Sequence, residues 1–253
     1  MDYITEYYNN YDEDGRLNSR KPEYLTTMRY IQKYLKPDCK ILEIGAATGR
    51  YSIALADMGF DVTSVEFVES NLDILKSKIR ANHNITAIQG DARNLNFIES
   101  DVYDIVLLLG PMYHLYNDED KHNAISEAVR VCKAGGIIFA AYCNNDTTMH
   151  QLFVQHKLSD YLDCIDNQFH AISKPELVFE LYRKEDVDRI MSGFDVYRLH
   201  YVGADMLSNC FDEAFDEMTD EEFNLYMKYH YAICEREDMI GLSFHMLDIF
   251  RKE

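Results

Sequence analysis

Residues 41–50 read ILEIGAATGR. Lys40 to Ile44 is a short aliphatic run, as a buried strand should be. It feeds a loop with glycines at 45 and 49, and a helical stretch, Arg50 to Met58, begins at once. Gly45 suits a positive-φ turn and lets a ligand approach the backbone. The free N–H groups of the helix beyond Gly49 suit a carboxylate or a phosphate. Glu43 stands near the end of the strand, a costly place for an acid with neither a partner nor a task. Glu66 ends the next strand, Asp61 to Glu66 (DVTSVE), where a carboxylate can accept hydrogen bonds from ribose hydroxyls. The frame therefore predicts a nucleoside ligand. Two common patterns are excluded. The G-x-G-x-x-G of a nicotinamide site lacks two glycines, because positions 47 and 50 are Ala and Arg. The G-x-x-x-x-G-K-[ST] of a P-loop is absent.

Strand and helix signals alternate on both sides of that stretch. Pro22 to Leu35 predicts a helix with Tyr24, Met28, Ile31 and Leu35 on one face, broken by Pro37-Asp38. Gly59 closes the helix that began at Arg50. Ser70 to Ala81 predicts a helix and Ile85 to Gln89 a strand. Tyr103 to Leu109 (YDIVLLL) is apolar enough for a strand covered on both faces. Asp118 to Cys132 predicts a helix, and Gly135-Gly136 a turn into the strand Ile137 to Tyr142. Strands alternating with helices predict an α/β fold with a parallel sheet and right-handed crossovers. Ligands bind such sheets at the carboxyl ends of the strands, so the loops 45–49, 66–70, 90–94, 110–116 and 143–148 are the candidate site. Beyond residue 145 the pattern loosens. Short strands are expected within 173–182, a helix over 184–192, a strand over 195–202, a long helix from Thr219 or Asp220 to about Glu235, and a last strand over 246–251.

The composition narrows the partners. The 253 residues carry a formal charge of −19. Residues 1–145 hold 15 Lys+Arg against 21 Asp+Glu (−6), and residues 146–253 hold 10 against 23 (−13). That balance argues against nucleic acid, which needs clustered Lys and Arg. No apolar run is long enough to span a membrane. The start, MDYITEYYNNYDEDG, lacks the basic and apolar regions of a secretory signal. The six cysteines form no CxxC pair, and the histidines form no HExxH. Reduced thiols in a cytoplasmic protein without a metal site are expected.

ILEIGAATG closely resembles the first motif of the class I S-adenosylmethionine-dependent methyltransferases. Glu66, Gly90-Asp91-Ala92, the strand Tyr103 to Leu109 with GPMYHL after it, and CKAGG at 132–136 resemble that family's later motifs, in its order and at its spacing. The likeness covers residues 41–142. GPMYHL points to the bacterial small-molecule branch with a type 11/25-like domain, similar to the ubiquinone- and menaquinone-pathway enzymes. The resemblance implies a Rossmann-like, seven-stranded, mostly parallel sheet with a late helical cap insertion. It implies one methyltransferase domain over 1–253: an N-terminal lid and helix to residue 38, a cofactor-binding core over 39–145, then a cap and the last strands. It also implies S-adenosylmethionine as cofactor and S-adenosylhomocysteine as product. The methionine part falls to Gly45, Ala46, Ala47, Thr48 and Gly49, the ribose to Glu66, and the adenine to Asp91. Glu43, Phe67, Gly90, Ala92 and Leu109 belong to the same cofactor set.

Beyond the cofactor, His114 is the candidate base and Tyr113 its neighbour at the acceptor. The tyrosine-rich start reads as a lid in which Tyr7, Tyr11 and Arg16, with Tyr116 from the loop after the fourth strand, meet the acceptor. Arg20 or Arg16 would meet the methionine carboxylate. Tyrosine faces can also cage a cationic amine. Family members that methylate nucleic-acid amines often carry Asn/Asp-Pro-Pro-Tyr where this chain has Gly110-Pro111-Met112-Tyr113, which removes the polar residue that would hold the amine. A small-molecule acceptor, neutral or cationic, is therefore expected, with the acceptor atom and the oligomeric state left open. The competing readings are a cofactor-binding protein without turnover and an RNA methyltransferase. The acidic run Asp212 to Glu222 reads as a solvated face. The helix after it is expected to lie over the site.

Overall fold

The computed structural model describes residues 3–19, 21–211, 214–215 and 217–253. Three helices lead in: α1 (Tyr3–Asn9), α2 (Glu13–Ser19) and α3 (Lys21–Tyr34). Then β1 (Lys40–Ile44), α4 (Arg50–Asp57), β2 (Asp61–Glu66), α5 (Glu69–Lys78), β3 (Asn84–Gln89) and β4 (Tyr103–Leu108) alternate. α6 (Asp118–Val131) precedes β5 (Cys132–Asn144) and α7 (Asn145–Val154). The remainder is β6 (Leu181–Tyr182), α8 (Lys184–Met191), β7 (Val196–Gly203), α9 (Asp220–Ile233) and β8 (His245–Lys252).

The sheet runs β3-β2-β1-β4-β5-β8-β7. β8 is antiparallel to both β5 and β7, and the other pairings are parallel. The expected seven strands are joined by an eighth, the two-residue β6, which pairs in parallel with the end of β5. Alternate residues of the central strands face opposite layers. Leu42, Ile44, Val106 and Leu108 pack in one core with Ile125 and Ala128 of α6 and Val187 of α8. Ile41, Ile105 and Leu107 pack in the other with Met28 and Ile31 of α3 and Leu55 of α4. Both layers are covered, which is why these strands read as unbroken apolar runs.

The chain reverses direction across the sheet between β1 and β4, which pair side by side (Ile44 with Leu108). The crevice beyond their carboxyl ends is where such a sheet holds a ligand.

Three local expectations are corrected. The 143–148 stretch is no loop: β5 continues to Asn144, whose side chain caps α7 by accepting from the Asp146 N–H. The Gly135-Gly136 turn lies inside β5, as an irregularity in its pairing with β4. The long helix α9 does not lie over the crevice. Thr219 caps it with a capping box, and it packs on α3, where Thr26 Oγ1 meets His230 Nε2 at 2.7 Å and Arg29 lies 4.5 Å over the Tyr231 ring. Just past its end, the Tyr30 hydroxyl of α3 meets Cys234 Sγ at 3.5 Å, so contacts with α3 fix its place. Asp212, Glu213 and Asp216 of the acidic run lie outside the described residues. Among the described residues, no helix is long and apolar enough to cross a membrane.

Candidate active site

A cleft of about 340 Å³ opens at the carboxyl ends of β1, β2, β3 and β4. Gly45, at φ 76°, turns the chain out of β1, and a Cβ there would stand 2.6 Å from Pro111 Cδ. A Cβ on Gly110 would stand 3.2 Å from the Gly45 carbonyl oxygen. Only glycine at both positions lets the two loops touch. Ala47 follows at φ 46°, an uncommon conformation for a residue with a Cβ. Its N–H donates to Glu66 Oε2 at 2.8 Å, and the Val68 N–H donates to Oε1 at 2.8 Å. Glu66 thus holds the loop after β1 from the neighbouring strand. Burial pushes its pKa up, against these two N–H groups and the Asn71 side chain. A carboxylate has about four acceptor positions, so about one stays open to the cleft.

Gly45, Ala47, Glu66, Phe67, Gly90, Asp91 and Ala92 all line this cleft, as do Tyr113, His114 and Tyr116. Asp91 is already engaged: Arg93 Nε lies 2.9 and 3.0 Å from its two oxygens, and Arg93 Nη1 reaches Asp120 at 3.0 Å. Against the upward push of burial, Arg93 holds the Asp91 carboxyl below its usual range. The remaining expected cofactor residues stand behind the wall. Ala46 packs on Leu72 and Leu75. Thr48 donates to Asp14 at 2.8 Å, and Gly49 abuts Leu75. The Leu109 carbonyl accepts the Tyr113 hydroxyl at 2.8 Å. Glu43 accepts the Ser52 hydroxyl, which also meets Ser64 at 2.6 Å. Arg20 lies outside the described residues.

A second cavity of about 290 Å³ lies against the first. Tyr8, Glu13 and Tyr113 line both, so they form the partition. Tyr7, Tyr11 and Arg16 line the second cavity only, whereas Tyr116 lines the first and donates its hydroxyl to the Val178 carbonyl at 2.7 Å. Arg16 turns toward Glu13, with Nε to Oε2 at 2.8 Å and Nη2 to Oε1 at 2.5 Å. His114 Nδ1 faces the Val178 carbonyl at 2.8 Å, so that nitrogen carries the proton. Nε2 is then the acceptor of the Tyr8 hydroxyl at 2.9 Å. Burial pushes the His114 pKa down to about 4, so the ring is neutral at pH 7. The Tyr8 bond ties α1 to the loop after β4 and closes the N-terminal arm across the crevice.

Residues 41–136 match the family described as Methyltransferase domain. Over these residues the chain carries a methyltransferase domain, and its fold is that of the class I methyltransferases. The methyltransferase core is similar to the glycine/sarcosine N-methyltransferase of Aphanothece halophytica, 28% identical over 141 residues, 55% of this chain and 51% of that one. It is 32% identical over 111 residues to the demethylmenaquinone methyltransferase of Renibacterium salmoninarum, 44% of each chain. The chain thus spans about half the length of the curated relatives it matches. Among solved structures, the methyltransferase complexed with the Haloferax volcanii Trm112 methyltransferase activator aligns over 99% of this chain and 98% of its own, with a TM-score of 0.62 at 14% identity. At that identity the likeness is one of fold.

The sequence singles out neither Glu13 nor Asp205, and it gives Tyr8 only a place in the tyrosine-rich start and His245 only a core or surface role. Tyr8 and Glu13 sit in the tyrosine-rich start, among residues of the same kinds. His245 opens β8 opposite Cys143 of β5, and both line the second cavity. Its Nδ1 donates to Asp205 Oδ2 at 2.6 Å. No local motif marks that pair.

Glu43, fully buried behind the loop, carries a testable cost. Burial pushes its pKa up to about 8, against the Ser52 hydroxyl. The folded state therefore binds this proton more tightly than the unfolded chain, where Glu titrates near ~4.3. Stability is full below ~4.3 and is lost as pH rises through the folded pKa of about 8. Glu43→Gln copies the protonated acid, so it should stabilise the protein at pH 8.5 by about 1–3 kcal/mol and be neutral at pH 5. Thermal unfolding at the two pH values checks this, and equal shifts at both would refute it.

Proposed function

We infer that the chain transfers the methyl group of S-adenosylmethionine to a small molecule held in the second cavity. The observation that carries this reading is the pair of adjoining cavities with Tyr8, Glu13 and Tyr113 between them. The residues of the first cleft suit the cofactor. Glycines at 45 and 110 allow close approach, Glu66 has a free acceptor position for a ribose hydroxyl, and Asp91 stands where the adenine would end. Glu43, Ala46, Thr48, Gly49 and Leu109 act from behind by shaping the loops. The acceptor is neutral or cationic, because among the described residues the cation lining the chamber, Arg16, is held by Glu13.

The cofactor supplies a methyl on a sulfonium, which leaves as a neutral thioether. The protein's part is then mostly placement, worth up to roughly 7–11 kcal/mol when donor and acceptor are held in line. Tyr113, at the partition, orients the acceptor, and its hydroxyl keeps an acceptor position while donating to Leu109. His114 takes the acceptor's proton at Nε2 once the Tyr8 hydroxyl gives way. We also assign the chain to the cytoplasm, a reading supported by the absence of any CxxC spacing among its six cysteines, and treat it as one functional unit.

Binding without turnover is the second reading, favoured by the two bonds that already occupy both His114 nitrogens. Incubation with methyl-labelled cofactor and a mixture of small metabolites separates the two. Label should pass to a small molecule, and His114→Ala or Tyr113→Phe should cut the rate by about 10²–10⁴-fold. Tight cofactor binding with no transfer to any fraction would establish the second reading instead.

A further inference from the structure

The second cavity deepens the proposed function, on which this inference rests. Its wall is mostly aromatic: Tyr7, Tyr8, Tyr11, Tyr113, Phe179 and Phe244. The rings are set at varied angles. Tyr7 stacks on Tyr11 with centroids 5.1 Å apart, and meets Tyr8 and Phe179 edge-on at 5.2 and 5.6 Å. Rings in several orientations thus line the space, and a ring face attracts a cation. Burial keeps the Tyr7, Tyr8 and Tyr113 phenols protonated.

The charges around the box have the matching sign. Arg16 is bracketed by Glu13 and, at 4.0 Å, by Glu23. His245 lies between Asp205 at 2.6 Å and Glu23 at 3.6 Å. Among the described residues, even with His245 protonated, three carboxylates (Glu13, Glu23, Asp205) face two cations (Arg16, His245). Glu23 Oε2 is buried and accepts no hydrogen bond among the described residues. An anionic ligand would have to displace Glu13 or Glu23, whereas a cation adds to the arrangement as it stands.

We propose that the second cavity is an aromatic cage for a small cationic nitrogen compound, an amine bound as its ammonium ion, and that this is the class of methyl acceptor. The lone pair needed for attack appears once the ammonium loses a proton. The nitrogen then bonds the methyl carbon, the carbon–sulfur bond breaks, and its electron pair stays on sulfur. The released proton passes to His114 Nε2, across the partition from the cavity, and then to water.

The probe is choline, a fixed cation, against 3,3-dimethyl-1-butanol, its neutral carbon isostere. Each is titrated calorimetrically into the protein saturated with S-adenosylhomocysteine. Choline should bind at least about tenfold more tightly than the alcohol. Tyr7→Leu and Tyr11→Leu should each erase most of that difference. Tyr11 is 40% exposed, so its replacement carries little risk of misfolding. Equal affinities, or no binding of choline by a protein that binds S-adenosylhomocysteine, would overturn the cage and leave the methyltransferase reading intact. Failure to bind S-adenosylhomocysteine would overturn the proposed function and this inference with it.

Discussion

Replacing Glu66 with Ala should weaken S-adenosylmethionine binding at least about tenfold, and calorimetry reads it directly. Two effects add. The first is the loss of a charge-assisted hydrogen bond to the ribose, about 1.5–3 kcal/mol, where each ~1.4 kcal/mol is tenfold. The second acts on the loop. Glu66 holds the N–H groups of Ala47 and Val68, and Ala47 sits at φ 46°, a conformation it keeps only while that bond holds it. Without the carboxylate the loop relaxes and its backbone leaves the methionine part of the cofactor. Glu66→Gln should lose almost as much, because its amide NH₂ would face one of the two N–H donors. Unchanged affinity in both variants would remove Glu66 from the cofactor site.

The second large effect concerns stability. Asp205 is fully buried, and it accepts the Ser243 hydroxyl at 2.7 Å, the His245 N–H at 3.0 Å and the His245 ring at 2.6 Å. Asp205→Ala strands a buried backbone donor and leaves the imidazolium only the longer contact with Glu23, at 3.6 Å. That should cost about 3–5 kcal/mol, or a fall in Tm of about 6–20 °C for a chain of this size. The pH dependence follows from the groups around the ring: Asp205 after β7, Glu23 of α3 and Arg16 of α2. Against burial, Glu23 and Asp205 raise the His245 pKa while Arg16 opposes them. Also against burial, His245 and Ser243 hold the Asp205 carboxyl below its usual range.

The raised histidine stabilises fully below its unfolded pKa of ~6.5, and that stability is lost as pH rises through the folded value. The lowered aspartate stabilises above ~3.9, and that part is lost as pH falls through its folded value. The pair is therefore worth most between about pH 4 and 6.5. Asp205→Asn should lower Tm most in that window and approach the wild type in alkali. A uniform loss at every pH would show that the ion pair carries none of the effect.

The two predictions draw on different kinds of information. ILEIGAATG, Glu66, Gly90-Asp91-Ala92 and the apolar strand 103–108 are local patterns. Strand period, loop glycines and a terminal acid follow from backbone sterics over a few residues. They place the sheet, the β1–β4 crevice and several residues that line it from the chain alone. The second cavity follows no local rule. Tyr8 meets His114 across 106 positions, and Asp205 meets His245 across 40. Periodicity did predict α9 but not its seat, because its apolar stripe fits any helix face of similar shape.

The −19 charge of the whole chain is likewise a sequence property, yet where it acts is not. Backbone hydrogen bonding and hydrophobic period determined the fold class and the crevice between β1 and β4. Which side chains surround the second cavity was decided only when packing brought the N-terminal arm, the loop after β4 and the start of β8 against one another. Contacts between distant segments depend on shape and burial, and a linear pattern records neither.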